Sequence, residues 1–251
     1  LYLKEEDGLK KKVTMQDVAD RLGVSKVTIS KAFSGKDDIS EDLRDKIFKV
    51  ADDIGYVYNY KGKMLRSDKS YSIGVITSER YFGKDDSFYV DIYRNLCLYL
   101  EMDNYICTLH ILDSKTEKDI IIPKMFIEQR VDGIIVLGQL NKEYLDALKK
   151  YDYPIVFMDF YYDKIDTDCI ITDNFFATYE LTNLLVENGH ERIAYVGNVH
   201  LTSSIQDRFF GYYKSILEHR FEFRPEWVIN DRNDESEWIK IKLPVDMPTA
   251  F

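Results

Sequence analysis

The chain has 251 residues, 34 Lys plus Arg against 44 Asp plus Glu, 45% hydrophobic residues and a formal net charge of −10. A chain of this length buries roughly 70 to 75% of the surface it exposes when unfolded, enough for one large core or two smaller ones. Only 12 Gly and 5 Pro exclude collagen-like and low-complexity order, no apolar run reaches the length of a bilayer, and the acidic balance argues at first sight against a polyanionic partner.

The charge is unevenly spread. Leu1 to Ser70 holds 15 basic and 13 acidic residues, whereas Tyr71 to Phe251 holds 19 and 31, so the chain divides electrically near residue 70. The first twelve residues are charged and lack the apolar centre of a secretory signal. Cys97, Cys107 and Cys169 are widely spaced with no Cys-x-x-Cys; the expectation is free thiols acting as small buried hydrophobes in a reducing cytoplasm, with no membrane association.

Thr14, with Asp17 three residues later, has capping-box spacing ahead of Met15 to Leu22, and Gly23 is placed to end that helix. Ser25 opens a second short helix, Lys26 to Phe33, after a turn tight enough for a helix-turn-helix. A third runs from Ser40 through Leu43, Ile47, Phe48 and Ala51 and stops at Gly55. Apolar residues recur at spacings of three and four. The second helix leaves Lys26, Thr28, Ser30 and Lys31 away from that core, with Lys36 just beyond and no acid between Gly23 and Gly35. Such a face suits a DNA major groove; its bland alternative is a solvated face on a small helical domain.

Past residue 70, short apolar strands alternate with amphipathic stretches. Strands are expected over Tyr71 to Ile76, Tyr105 to Leu112, Val131 to Leu137, Ile155 to Phe160, Cys169 to Thr172 and Arg192 to Gly197. Helices are expected over Phe88 to Asp103, Thr116 to Gln129, Lys142 to Lys150, Phe175 to Asn188 and about Ser204 to His219. The pattern predicts a doubly wound parallel sheet covered on both faces, with ligands beyond the carboxyl ends of its strands. No phosphate-binding glycine loop follows any strand, and His110, His190, His200 and His219 lack metal-ligand or triad spacing. No catalytic residue, metal or cofactor is expected.

Val13-Thr14-Met15-Gln16-Asp17-Val18-Ala19, Gly23-Val24-Ser25-Lys26-Val27-Thr28-Ile29-Ser30-Lys31-Ala32-Phe33 and Ile54-Gly55-Tyr56 resemble the headpiece of the lactose-repressor (LacI-type) family of bacterial transcription regulators. The resemblance implies that Lys26, Val27 and Lys31 choose the operator sequence, while Thr14, Ser25, Thr28, Ser30 and Ser34 grip phosphates or bases. Asn59 to Ser70 matches the family's hinge, Asn59 among its contacts and Leu65 at its minor-groove wedge. Two departures are Gly62, where alanine is usual, which raises the cost of ordering the hinge by ~1 kcal/mol, and Tyr58, where proline is usual.

Downstream, Asp132-Gly133-Ile134-Ile135, Phe157-Met158-Asp159, Asp173-Asn174, Gly189-His190-x-x-Ile193 and Arg208-Phe209-Phe210-Gly211-Tyr212 resemble the family's effector domain, a relative of periplasmic sugar-binding proteins. By position, Ser78, Phe88, Tyr89, Asp159 and Arg208 match effector contacts; Leu137 stands where some sugar-responsive relatives carry a polar residue. The resemblance implies a headpiece over 1–58, a hinge over 59–70 and a sensor over 71–251, itself divided near residue 173. It implies an incomplete second subdomain, as in a C-terminally truncated fragment. The implied function is a homodimeric, ligand-responsive regulator binding double-stranded palindromic operator DNA, most naturally a repressor, under a sugar or sugar derivative. The alternatives are a sugar-binding module without gene control and, third, a hydrolase or transferase on the same sheet.

Overall fold

The computed structural model describes residues 13–34, 38–58, 69–82, 88–234 and 236–251. Two compact units emerge, Leu1–Asp68 and Lys69–Phe251. Among the described residues no helix is long and apolar enough to cross a membrane.

The first unit contains α1 (Met15–Leu22), α2 (Lys26–Phe33) and α3 (Glu41–Asp53). The Asp17 carboxylate accepts from both the Thr14 backbone N–H and its hydroxyl at 2.7 Å. Gly23 closes α1 in the left-handed conformation, and Ser25 Oγ accepts from the Thr28 N–H at 3.1 Å to start α2. Orphan donors at both N-termini are thereby satisfied. Val18, Ala19, Ile29, Ala32, Ile47 and Ala51 form the core, two from each helix, and Phe33 adds rings stacked on or tilted against Phe48, Tyr56 and Tyr58.

The second unit runs β1 (Ser72–Ser78), α4 (Phe88–Met102), β2 (Ile106–Leu112), α5 (Ser114–Lys118), α6 (Lys124–Ile127), β3 (Gly133–Leu137), α7 (Lys142–Leu148), β4 (Ile155–Met158), β5 (Asp168–Ile170), α8 (Asn174–Glu187), β6 (Tyr195–Val196), α9 (Ser203–Glu218) and β7 (Val228–Ile229). Five strands form one parallel sheet in the order β2-β1-β3-β4-β5. β1 and β3 are interior strands, and Val75, Ile76, Ile134, Val136 and Leu137 are buried on them at both odd and even positions, as a strand covered on both faces requires. A second, two-stranded parallel sheet pairs β6 with β7. Its core, built from Ile193, Tyr195, Ile205, Tyr212 and Ile216, packs the paired helices α8 and α9.

Two expectations fail. The cysteines are not buried hydrophobes: Cys97 and Cys107 are half-buried, and Cys169, on the edge strand β5, is exposed. Thr116 to Gln129 is not a continuous helix: it breaks into α5 and α6, with Ile120 at φ 54° and Pro123 as the N-cap of α6. Proline lacks the donor that a helix interior requires. Ser203–Glu218 begins with Thr202 Oγ1 accepting from the Ile205 N–H at 3.2 Å, which delivers Arg208 one turn into α9.

Candidate functional site

Two regions bear on function, one in each unit. On the first, Ile29 and Ala32 anchor α2 to the core, leaving Lys26 and Val27 exposed and Thr28, Ser30, Lys31 and Ser34 half-buried. Val27, 63% exposed, is an apolar side chain with no place in the core. Lys31 forms an ion pair with Asp38. Both partners are substantially exposed, so the pair is worth at most about 1 kcal/mol and Lys31 can exchange it for a phosphate or a base edge.

Several hydroxyls on this surface are already engaged. Thr14 donates to Asp17, Ser25 and Thr28 share a hydrogen bond of 2.9 Å, and Ser34 donates to the Ser30 carbonyl at 2.6 Å. A nucleic-acid contact from Thr14 or Ser34 requires the hydroxyl to rotate away from its present acceptor. Asn59 and Leu65 lie outside the described residues.

On the second unit, a cavity of about 350 Å³ opens where the carboxyl ends of β1, β3 and β4 face the start of α9 and the segment after β7. That is where an open parallel sheet places its ligands. Arg80 and Tyr81 follow β1, Gln139 follows β3, Asp159 follows β4, and Phe88 and Tyr89 open α4. From the other side come Thr202, Ser204 and Arg208 of the α9 entry, then Arg232 and Trp238.

Each polar group is held in place. The Tyr89 hydroxyl donates to Asp159 Oδ2 at 2.6 Å, and the Tyr81 hydroxyl donates to the Gln139 carbonyl at 2.7 Å. Burial raises the Tyr81 hydroxyl to about 12, and burial followed by the adjacent Asp159 carboxylate holds Tyr89 far above its ordinary value. Both phenols are therefore neutral donors at physiological pH.

Gly138 makes room for this arrangement. It has φ +76°, and a Cβ there would lie 2.7 Å from the Tyr81 ring, so only glycine leaves space for the phenol. Asp159 itself has φ 69°, an unfavourable backbone for a side-chain-bearing residue, and is 8% exposed. Such strain concentrates at ligand sites, where the surrounding fold over-determines it.

Arg208 Nε donates to the Asn174 side-chain oxygen at 2.7 Å, which fixes the guanidinium from the start of α8. Asp207, its neighbour, accepts from the Tyr161 hydroxyl instead. Arg232 Nε and Nη2 both reach Asp231, and its guanidinium lies 4.1 Å from the Trp238 ring. Gln139 ties the two sides together, donating to the Leu201 carbonyl at 3.1 Å and accepting from the Ser203 N–H at 3.0 Å.

Four of the five expected effector contacts, Phe88, Tyr89, Asp159 and Arg208, line this one cavity. Ser78 does not: it is 2% exposed and its hydroxyl donates to Glu117. The buried Glu117 also accepts from Arg80 at 2.6 Å and from the Asn141 N–H at 2.7 Å, so Ser78 belongs to the scaffold beneath Arg80. Arg80, Tyr81, Gln139, Arg232 and Trp238 carry no spacing signal in the sequence; only the topology brings them together.

Residues 70–241 match the family described as periplasmic binding proteins and sugar binding domain of LacI family, and residues 14–59 match bacterial regulatory proteins, lacI family. The chain belongs to the LacI family. Among curated relatives, the HTH-type transcriptional repressor PurR of Aliivibrio salmonicida is 24% identical over 95% of this chain and 72% of its own length. The maltose regulon regulatory protein MalI of Escherichia coli is 28% identical over 90% of this chain and 66% of its own length. The chain thus spans about two thirds of the length of such relatives. Two solved structures share the fold: a transcriptional regulator CelR–cellobiose complex (20% identity, TM-score 0.57, 87% of this chain and 65% of that one), and a lac repressor dimer bound to operator and the anti-inducer ONPF (23% identity, TM-score 0.56, 84% and 64%). These relatives are regulators of transcription rather than enzymes.

Proposed function

We propose that this chain is a sugar-responsive, sequence-specific DNA-binding regulator that grips a near-palindromic operator as a homodimer. The headpiece spans residues 1–58, the hinge 59–70 and the sensor 71–251. The observation that carries this reading is the presence, in one chain, of an acid-free helix with Lys26 and Val27 exposed and Lys31 half-buried beside them, and of a cavity at the strand ends lined by Asp159 and Arg208. The family match supports both halves, as do relatives solved with operator and with cellobiose.

In this reading α2 enters the major groove, where Lys26 and Lys31 donate to guanine O6 and N7 or to phosphates and Val27 packs against a thymine methyl. Thr14, Ser25, Thr28, Ser30, Ser34 and Asn59 supply polar contacts, and Leu65 wedges into the minor groove. Two copies place two α2 helices one helical turn apart, so a two-fold operator follows from a two-fold protein.

At the sensor, Asp159 accepts from sugar hydroxyls, Arg208 donates to them, and Phe88 covers an apolar ring face. A ligand seated there competes with or reinforces the Gln139 tie between Leu201 and Ser203, altering how the two sides of the cavity meet. Operator and ligand affinities then change each other by one common factor.

Selection of bound sequences from a random DNA pool tests the assignment. A two-fold symmetric consensus is expected, weakened by Lys31→Ala; recovery of no consensus would refute it.

A further inference from the structure

Among the described residues the cavity holds one guanidinium without a carboxylate partner, a feature that a neutral sugar does not require. Three guanidinium groups line it, those of Arg80, Arg208 and Arg232, against one carboxylate, Asp159. Arg80 is paired with Glu117 and Arg232 with Asp231. Arg208 is anchored by a neutral amide, and among the described residues no carboxylate lies within 4.0 Å of it. Its two terminal nitrogens are the fork that suits a planar or tetrahedral oxyanion.

One further observation points the same way. The sixteen-residue helix α9 starts on this cavity through Thr202 and Ser204 and has no acid in its first turn, so the positive end of its dipole is met only by the neutral oxygens of Thr202 and Gln139. Asp159 already receives the Tyr89 hydroxyl, and two residues further on the Tyr161 N–H donates to Ser203 Oγ at 3.2 Å, so Asp159 and the start of α9 border the same part of the cavity.

We infer that the occupant is a sugar carrying one anionic group, a carboxylate or a phosphate, held by Arg208 and Arg232 beside the α9 N-terminus, with its hydroxyls on Asp159. This inference rests on the sensor reading and narrows it to a ligand class. The Arg232 guanidinium lies over the Trp238 ring, and Asp231 accepts from its Nε and Nη2, which leaves Nη1 for the ligand.

Calorimetric titration of the full chain with matched sets decides it: glucose, galactose, mannose and ribose, each beside its sugar acid and its phosphate ester. At least one anionic member should bind tenfold or more tightly than its neutral parent, with an affinity that falls as salt rises from 50 to 300 mM. The acid and ester arms separate carboxylate from phosphate. Arg232→Gln should shrink the preference to threefold or less while the circular dichroism spectrum is unchanged; if that variant misfolds, the salt dependence of the unaltered chain decides between an anionic and a neutral occupant. A neutral parent binding as tightly as, or more tightly than, its anionic counterparts overturns the inference and leaves the sensor reading intact. Absence of any binding across all sets overturns both.

Discussion

Gly211→Ala exposes how closely the ligand cavity depends on the crossing of α8 and α9. A Cβ at position 211 would sit 2.1 Å from the Phe175 carbonyl oxygen and 2.9 Å from the Tyr179 nitrogen, both backbone atoms that no rotamer change can move. Ordinary contact needs roughly 3.5 Å, so the two helices must separate by on the order of 1 Å. Overpacking of this kind costs about 3 kcal/mol at the upper end of its usual range. Alanine returns ~1 kcal/mol through its better helix propensity, leaving a net loss of about 2 kcal/mol. For a unit of this size that lowers Tm by about 4 to 8 °C. The same displacement acts on function, because Asn174 opens α8 and Arg208 lies one turn before Gly211 on α9; their 2.7 Å hydrogen bond spans the crossing. Thermal unfolding followed by circular dichroism, with sugar titration on the same sample, should show a lower Tm and a weaker site. An unchanged or higher Tm, the result that helix propensity alone would give, refutes the close-crossing argument.

Three other outcomes follow from the same geometry. Glu117→Ala strands Arg80 and removes the acceptor for Ser78 Oγ and the Asn141 N–H, so it should cost about 3 kcal/mol in urea unfolding, whereas Glu117→Gln should cost less than half of that. Asp38→Asn releases Lys31 from its ion pair and should tighten binding to any duplex by a few-fold at low salt, the gain vanishing in the Lys31→Ala background; equal affinities in all three would remove Lys31 from the interface. In the alkaline range, the neutral forms of Tyr81 and Tyr89 are favoured by the fold. Their stabilising contribution is fully present below pH 10, the ordinary phenol value, and is lost as pH climbs through about 12, where Tyr81 ionises. Phenolate absorbance should therefore rise late for these groups, and Tyr81→Phe should flatten the loss of stability between pH 10 and 12.

The headpiece was legible in the sequence because its signals are local. Thr14 with Asp17, Gly23 and Ser25 sit within a turn of the helices they delimit, and all make the backbone contacts that their spacing implies. Strands β1 and β3 were legible for another reason: a run such as Gly133-Ile134-Ile135-Val136-Leu137 has no polar face to give to water. The apolar spacing over Thr116 to Gln129 makes α5 and α6 read as one helix, and Pro123, which cannot donate inside a helix, is the residue that separates them. At the cavity, the residues matched to effector positions were visible through motif resemblance, while Arg232 and Trp238 were not. They come from an irregular, charged segment after β7, held by Asn198, whose side-chain amide donates to the Arg232 carbonyl at 3.3 Å and whose N–H donates to Asp231. Such long-range anchoring leaves no periodicity to read. Ser78 shows the converse: its position suggested a ligand, but the buried Glu117 beneath it claims its hydroxyl.

In the proposed function, one chain couples a DNA-reading helix to a sugar cavity. Fluorescence anisotropy of the selected operator duplex, titrated with the full chain in the presence and absence of the sugar that binds it most tightly, measures that coupling directly. The sugar should shift operator affinity at least fivefold, operator should shift sugar affinity by the same factor, and Arg208→Gln should abolish both shifts while leaving sugar-free operator binding intact. Operator affinity that is identical with and without saturating sugar would contradict that coupling.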